Sequence, residues 1–101
     1  GTTLWGAEHA GKLEAMATLH VMVNMTWSGR PYALVENVIT SATFRGKGLG
    51  RAVMQRLTAD ARQQGAYKIM LLTGKARGAV GFYAALGFDA DEKQAMILRC
   101  D

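Results

Sequence analysis

Cysteine and proline each occur once in this chain of 101 residues, and histidine twice. A single Cys100 excludes an internal disulfide framework, and the composition suits a reducing compartment. His9 and His20 have no Cys, Asp or Glu at metal-ligand spacing, so no metal site is expected. No apolar run approaches the roughly 20 residues needed to cross a bilayer, and no basic-then-apolar signal segment opens the chain. The expectation is a cytoplasmic protein without a membrane partner. Charge is modest at +4, and three of the twelve basic residues, Arg45, Lys47 and Arg51, fall within one short stretch. That concentration points to one anion at one place. Nucleic acid is not expected as a partner, because exposed aromatics interleaved on a basic strand are lacking.

Half the residues are hydrophobic and a fifth are charged, which suits one compact domain over residues 1–101. Thr3 to Glu8 reads as a short strand, followed by a turn through His9 to Lys12. From Leu13 to Asn24 apolar residues alternate, with Leu13, Ala15, Ala17, Leu19 and Val21 on the expected core face. Met25 to Pro31 is a hairpin connection, and Tyr32 to Ser41 a second long strand. From Lys47 the spacing turns helical, with Leu49, Val53, Leu57 and Ala61 along one line and Gly65 as the stop. Tyr67 to Thr73 reads as a strand buried on both faces. A second helix is expected from Ala76 to Leu86, ended by Gly87, and a last strand from Gln94 to Arg99, with Cys100 at its end. This order predicts an α/β layered fold in which helices cover the sheet.

At the junction of strand and helix stands Arg45-Gly46-Lys47-Gly48-Leu49-Gly50. A G-x-G alone occurs by chance about once in 200 positions at ordinary glycine usage of about 7%. Placement gives this one meaning. A helix N-terminus has N–H groups without internal partners and the positive end of the helix dipole, and glycine lets a phosphate approach the main chain. The spacing is neither that of the nucleoside-triphosphate P-loop nor the dinucleotide fingerprint, so a different phosphate ligand is implied.

Arg45 to Gly50 resembles the [QR]-x-x-G-x-[GA] signature of the GNAT (N-acetyltransferase) superfamily, and Phe82-Tyr83-Ala84-Ala85-Leu86-Gly87-Phe88 resembles its F-Y-x-x-x-G-F signature. Tyr32 to Phe88 is most similar to the branch that includes glucosamine-6-phosphate N-acetyltransferases. The resemblance implies a mixed, mostly antiparallel sheet flanked by two main helices, with acetyl-CoA as cosubstrate and no metal. It implies that Arg45, Gly46, Lys47, Gly48, Leu49, Gly50 and Arg51 hold the CoA pyrophosphate. It also implies that the backbone of Val38, Ile39 and Thr40 binds the pantetheine arm along a splayed strand edge. The strand and two helices that open a typical family domain have no counterpart in this sequence.

By the same resemblance, an amine attacks the thioester directly and two side chains move its protons. An amine near neutral pH is mostly ammonium and needs a base. Glu36, flanked by Leu34, Val35, Val38 and Ile39, is the candidate, because desolvation among apolar neighbours would raise its pKa. Alternation leaves open which face Glu36 occupies. Tyr83 corresponds to the tyrosine that protonates the departing thiolate; it also fits an amphipathic residue of the helix core. The asparagine expected upstream of Tyr83 is absent, with Ala76 and Ala79 in its place. The function implied is acetyl transfer from acetyl-CoA to a primary amine of a small molecule or peptide. The alternative is a CoA-binding module that lacks a complete acceptor site. Uncovered sheet edges and apolar surface would favour a homodimer.

Overall fold

The computed structural model describes residues 1–100. Residues Gly1–Leu71 form one compact unit, and the chain from Leu72 onward forms another. The first unit holds strands β1 (Thr2–His9), β2 (Lys12–Met22), β3 (Tyr32–Thr40) and β4 (Ile69–Leu71), with helix α1 (Leu49–Gln63) between β3 and β4. The second unit holds a 3₁₀ turn over Lys75–Arg77 and helix α2 (Val80–Ala85). The strand order is β1-β2-β3-β4; the first two pairings are antiparallel, and β3 pairs with β4 in parallel. A parallel pair needs a long crossover, which α1 provides. The mixed, mostly antiparallel sheet with two helices is the expected fold.

The core lies between one sheet face and α1. Ala15, Ala17 and Leu19 of β2 and Ala33 and Val35 of β3 meet the buried stripe Val53, Met54, Leu57 and Ala61. Small residues on the sheet let the helix sit close, and truncating Leu57, which is fully buried, should cost about 2–5 kcal/mol. α1 ends as its sequence predicts. Gly65 adopts φ 89°, its N–H donates to the Arg62 carbonyl at 3.0 Å, and the Ala66 N–H donates to the Ala61 carbonyl at 3.1 Å. These are the two bonds of a Schellman C-cap.

Four expectations are corrected. Leu13 leaves the core face, because Ala7 pairs with Ala15 while Glu8 pairs with Leu13, which makes Glu14 an extra residue and shifts the phase. Leu13 is 53% exposed and shares a shallow depression with Leu4, Gly6, Glu8 and Met16 on the face away from the α1 core. The strand expected over Tyr67 to Thr73 is three residues long and half-buried, since β4 lies at the sheet edge. The helix expected from Ala76 is shorter, because Gly78 takes a left-handed conformation at φ 65° and separates the 3₁₀ turn from α2. Gln94 to Arg99 forms no strand: it has no ladder partner, Met96 and Leu98 are each 89% exposed, and Cys100 is exposed coil.

Candidate functional site

Two features of β3 prepare the site. Its ladder with β4 covers Ala33 to Val35 only, so from Glu36 to Thr40 the strand has no β4 partner. Its ladder with β2 continues to Thr40 but skips a residue: Met16 faces Ile39 while Thr18 faces Glu36. β3 therefore carries a β-bulge, and Asn37 within it takes the left-handed conformation at φ 55°. Bulges re-aim a strand, and this one sits where β3 and β4 part. The backbone of Val38, Ile39 and Thr40, expected to bind an extended arm, lies on this unpaired edge.

Beyond Thr40 the chain makes a 3₁₀ turn over Ala42–Phe44 and enters the glycine-rich loop. The Phe44 N–H donates to the Ser41 carbonyl at 3.0 Å, and the Lys47 N–H donates to the Phe44 carbonyl at 3.3 Å. Gly46 and Gly48 are left-handed, at φ 75° and 85°, and a Cβ on either would meet nothing within 4 Å. Conformation, not space, requires glycine at both positions. Gly48 caps α1, no side chain supplies a capping bond, and the first helical bond is Ala52 N–H to Gly48 carbonyl at 3.0 Å. Among the described residues, the amides of Gly46, Gly48, Leu49, Gly50 and Arg51 have no acceptor within the chain. Exposed Arg45, Lys47 and Arg51 are interleaved with them along the chain, and Arg45 Nε donates back to the Thr40 carbonyl at 3.4 Å. Unpartnered amides, a helix dipole and three cations form a site suited to a phosphate group.

Glu36 is exposed, so the burial expected to desolvate it is absent from this chain. The reason is the phase of β3. Ala33 and Val35 take the core face, which turns Glu36 to the other.

In the second unit, the F-Y-x-x-x-G-F sequence is a helix stop. Gly87 adopts φ 99°, its N–H donates to the Ala84 carbonyl at 3.0 Å, and the Phe88 N–H donates to the Tyr83 carbonyl at 3.1 Å. Phe88 and Tyr83 are in edge-on contact, with ring centroids 6.1 Å apart, which supplies the hydrophobic contact of a Schellman cap. Phe82 packs on the same ring at 5.1 Å. Tyr83 is half-buried; burial pushes its phenol above the ordinary value of about 10, against a smaller opposing effect of Arg77. It remains a hydrogen-bond donor at neutral pH.

Residues missed in the sequence are Asn37 and Phe44. An aromatic directly before a glycine-rich loop was the available signal for Phe44, whereas the bulge at Asn37 depends on the register with β2.

The acetyltransferase (GNAT) family model matches residues 1–88, a span that holds both glycine motifs. The chain belongs to the GNAT acetyltransferase family. It is 31% identical over 93 residues to the glucosamine 6-phosphate N-acetyltransferase of Trypanosoma brucei brucei, covering 92% of this chain and 62% of that protein. Over 59 residues it is 46% identical to the chloroplastic serotonin N-acetyltransferase 2 of Oryza sativa subsp. japonica, covering 58% of this chain and 28% of that protein. Among solved structures, a putative acetyltransferase from Agrobacterium tumefaciens str. C58 superposes with a TM-score of 0.89 at 40% identity, covering 98% of this chain and 69% of that one. The GNAT chain thus spans less than two thirds of the length of these two curated relatives.

Proposed function

We propose that this chain carries the acetyl-CoA site of an N-acetyltransferase that acetylates a primary amine of a small molecule or peptide by direct attack. The observation that carries the reading is the group of unpartnered amides of Gly46, Gly48, Leu49, Gly50 and Arg51, set directly after an unpaired strand edge in a GNAT family member. The pyrophosphate fits the loop amides with Arg45, Lys47 and Arg51 around them. The pantetheine arm, whose amides can pair with a strand, fits the edge formed by Val38, Ile39 and Thr40. An N–H on that edge would polarise the thioester carbonyl.

Glu36 takes the proton of the attacking ammonium, directly or through water. The amine nitrogen then bonds to the acetyl carbon, the carbon–sulfur bond breaks, the thiolate receives the Tyr83 proton, and the second proton shed by the nitrogen restores the Tyr83 phenol through water. The Tyr83 phenol is protonated at neutral pH, as such a donor must be. The acceptor is a small amine; the names of the similar proteins make an amino sugar phosphate and an arylalkylamine the first candidates to assay.

A second reading is favoured by the exposure of Glu36: a CoA-binding module without turnover. Calorimetric titration with acetyl-CoA, followed by thiol release with a panel of amines, separates the two. No binding would overturn both readings; binding without thiol release would leave the second. Under the first, Glu36→Gln retains binding and loses turnover by about a hundredfold. We further propose a homodimer that covers the face bearing exposed Leu4 and Leu13. Light scattering at micromolar concentration should give twice the chain mass, and a monomer would refute it.

A further inference from the structure

We infer that His9 is a positioning residue for the phosphate loop, acting through Phe44. His9 is the last residue of β1 and pairs with Lys12 across a two-residue turn, Ala10-Gly11. Both turn residues are left-handed, at φ 51° and 78°, the backbone of a type I′ hairpin whose twist matches that of its strands. The hairpin thereby fixes the end of β1. The His9 ring packs against the Phe44 ring with centroids 5.1 Å apart and a 54° tilt.

Phe44 is the hinge point of the loop. Its N–H and carbonyl close the turns on either side, to the Ser41 carbonyl and from the Lys47 N–H. The Lys47 ammonium lies 5.5 Å from the centre of its ring. Elsewhere the loop stands clear: Arg45 to Gly48 are exposed, Cβ atoms built on Gly46 and Gly48 would touch nothing, and no side chain caps α1. Arg45 reaches the Thr40 carbonyl at 3.4 Å, and the His9–Phe44 ring pair ties the start of this stretch to the end of β1. A site built from backbone amides binds well only if those amides already converge, because ordering them on binding consumes affinity. His9 and Phe44 together hold the amides in place before the ligand arrives, and Lys47 is kept beside the loop by the same ring.

This inference rests on the loop being the CoA phosphate site. The test uses calorimetry with three ligands: acetyl-CoA, adenosine 3′,5′-bisphosphate and S-acetylpantetheine, which lacks the phosphates. His9→Ala should weaken acetyl-CoA and the bisphosphate by roughly three- to tenfold, the scale of one aromatic pair. It should leave acetylpantetheine affinity unchanged, and His9→Phe should restore wild-type binding. An equal loss for all three ligands, or failure of His9→Phe to restore affinity at a wild-type thermal midpoint, would overturn the positioning role. So would wild-type affinity in His9→Ala, and in that case the CoA reading would stand. Failure of the unaltered protein to bind acetyl-CoA or the bisphosphate would overturn the CoA reading, and this inference with it.

Discussion

The indole Nε1 of Trp5 donates to Oδ2 of Asp60 at 2.9 Å, joining the edge strand β1 to helix α1. Oδ1 of the same carboxylate accepts from Gln64 Nε2 at 3.0 Å, and the Arg56 guanidinium lies 5.4 Å from the indole centre. The Gln64 amide first, and the Trp5 indole second, hold Asp60 below the usual carboxylate range. A carboxyl group whose pKa is depressed by folding stabilises the protein above its unfolded pKa and loses that contribution as pH falls through the folded value. Asp60→Asn should therefore melt at lower temperature than the unaltered protein at pH 7, and the gap should narrow below about pH 4. A gap independent of pH from 7 to 2 would show that the two hydrogen bonds do not depend on the charge.

Gly48→Ala puts a Cβ on a residue at φ 85° with open space around it. Its cost is conformational, about 1 kcal/mol in a denaturant titration. Because the strained residue is the cap of α1, acetyl-CoA affinity should fall by about tenfold or more. Gly81→Ala is the matched control. Gly81 lies in α2 without a positive φ and with nothing within 4 Å, so alanine should stabilise α2 by about 0.5–1 kcal/mol and leave affinity alone. Equal loss of affinity in both variants would refute the role given to the Gly48 backbone.

Much of this architecture was legible where one physical signal dominated. The apolar line Leu49, Val53, Leu57 and Ala61 gave α1 to within two residues at each end, and Gly65 and Gly87 marked both helix stops. Alternation gave β2, the turns on either side of it set off β1 and β3, and the placement of Gly46 and Gly48 between strand and helix gave the loop. What was not legible depends on partners rather than on local pattern. The face of Leu13 is set by a bulge that exists only against a neighbouring strand, and the face of Glu36 by which side of β3 packs on α1. The apolar residues of β4 read as a fully buried strand, but edge position is a property of the sheet. The apolar residues Met96 to Leu98 have strand composition and no ladder to join. His9 reads in sequence as a turn residue, and only the folded hairpin brings its ring to Phe44.

Tyr83→Phe tests the donor assignment and the helix stop separately. Phenylalanine keeps the ring contacts with Phe82 and Phe88 and the backbone bond from Phe88, so α2 should remain formed by circular dichroism. Subtracting its ultraviolet titration from that of the unaltered protein should isolate one phenol with a midpoint above about 10. Because folding raises this pKa, the protonated phenol is favoured, and stability should fall as pH rises past the unfolded value of about 10. That alkaline loss should be smaller in the variant. Under the proposed mechanism, thiol release should slow by about ten- to a hundredfold at pH 7 with acetyl-CoA affinity unchanged. Unaltered turnover would remove Tyr83 from the chemistry and leave it as the helix-capping aromatic.

Asn37 stands at the point where β3 leaves β4, and its left-handed backbone makes the bulge possible. Asparagine tolerates that conformation better than other residues with a Cβ, and glycine adopts it without penalty. Asn37→Gly should be close to neutral in stability, whereas Asn37→Val should destabilise by about 1–2 kcal/mol or force β3 to drop the extra residue. Dropping it would reverse the faces of every residue from Val38 to Thr40 relative to β2 and shift the strand edge proposed to hold the pantetheine arm. Asn37→Val should consequently weaken acetyl-CoA while leaving adenosine 3′,5′-bisphosphate, which does not reach that edge, within about twofold of the unaltered protein. A parallel loss for both ligands would mean that the bulge sets the phosphate loop instead, because β3 runs through Thr40 and Ser41 directly into it.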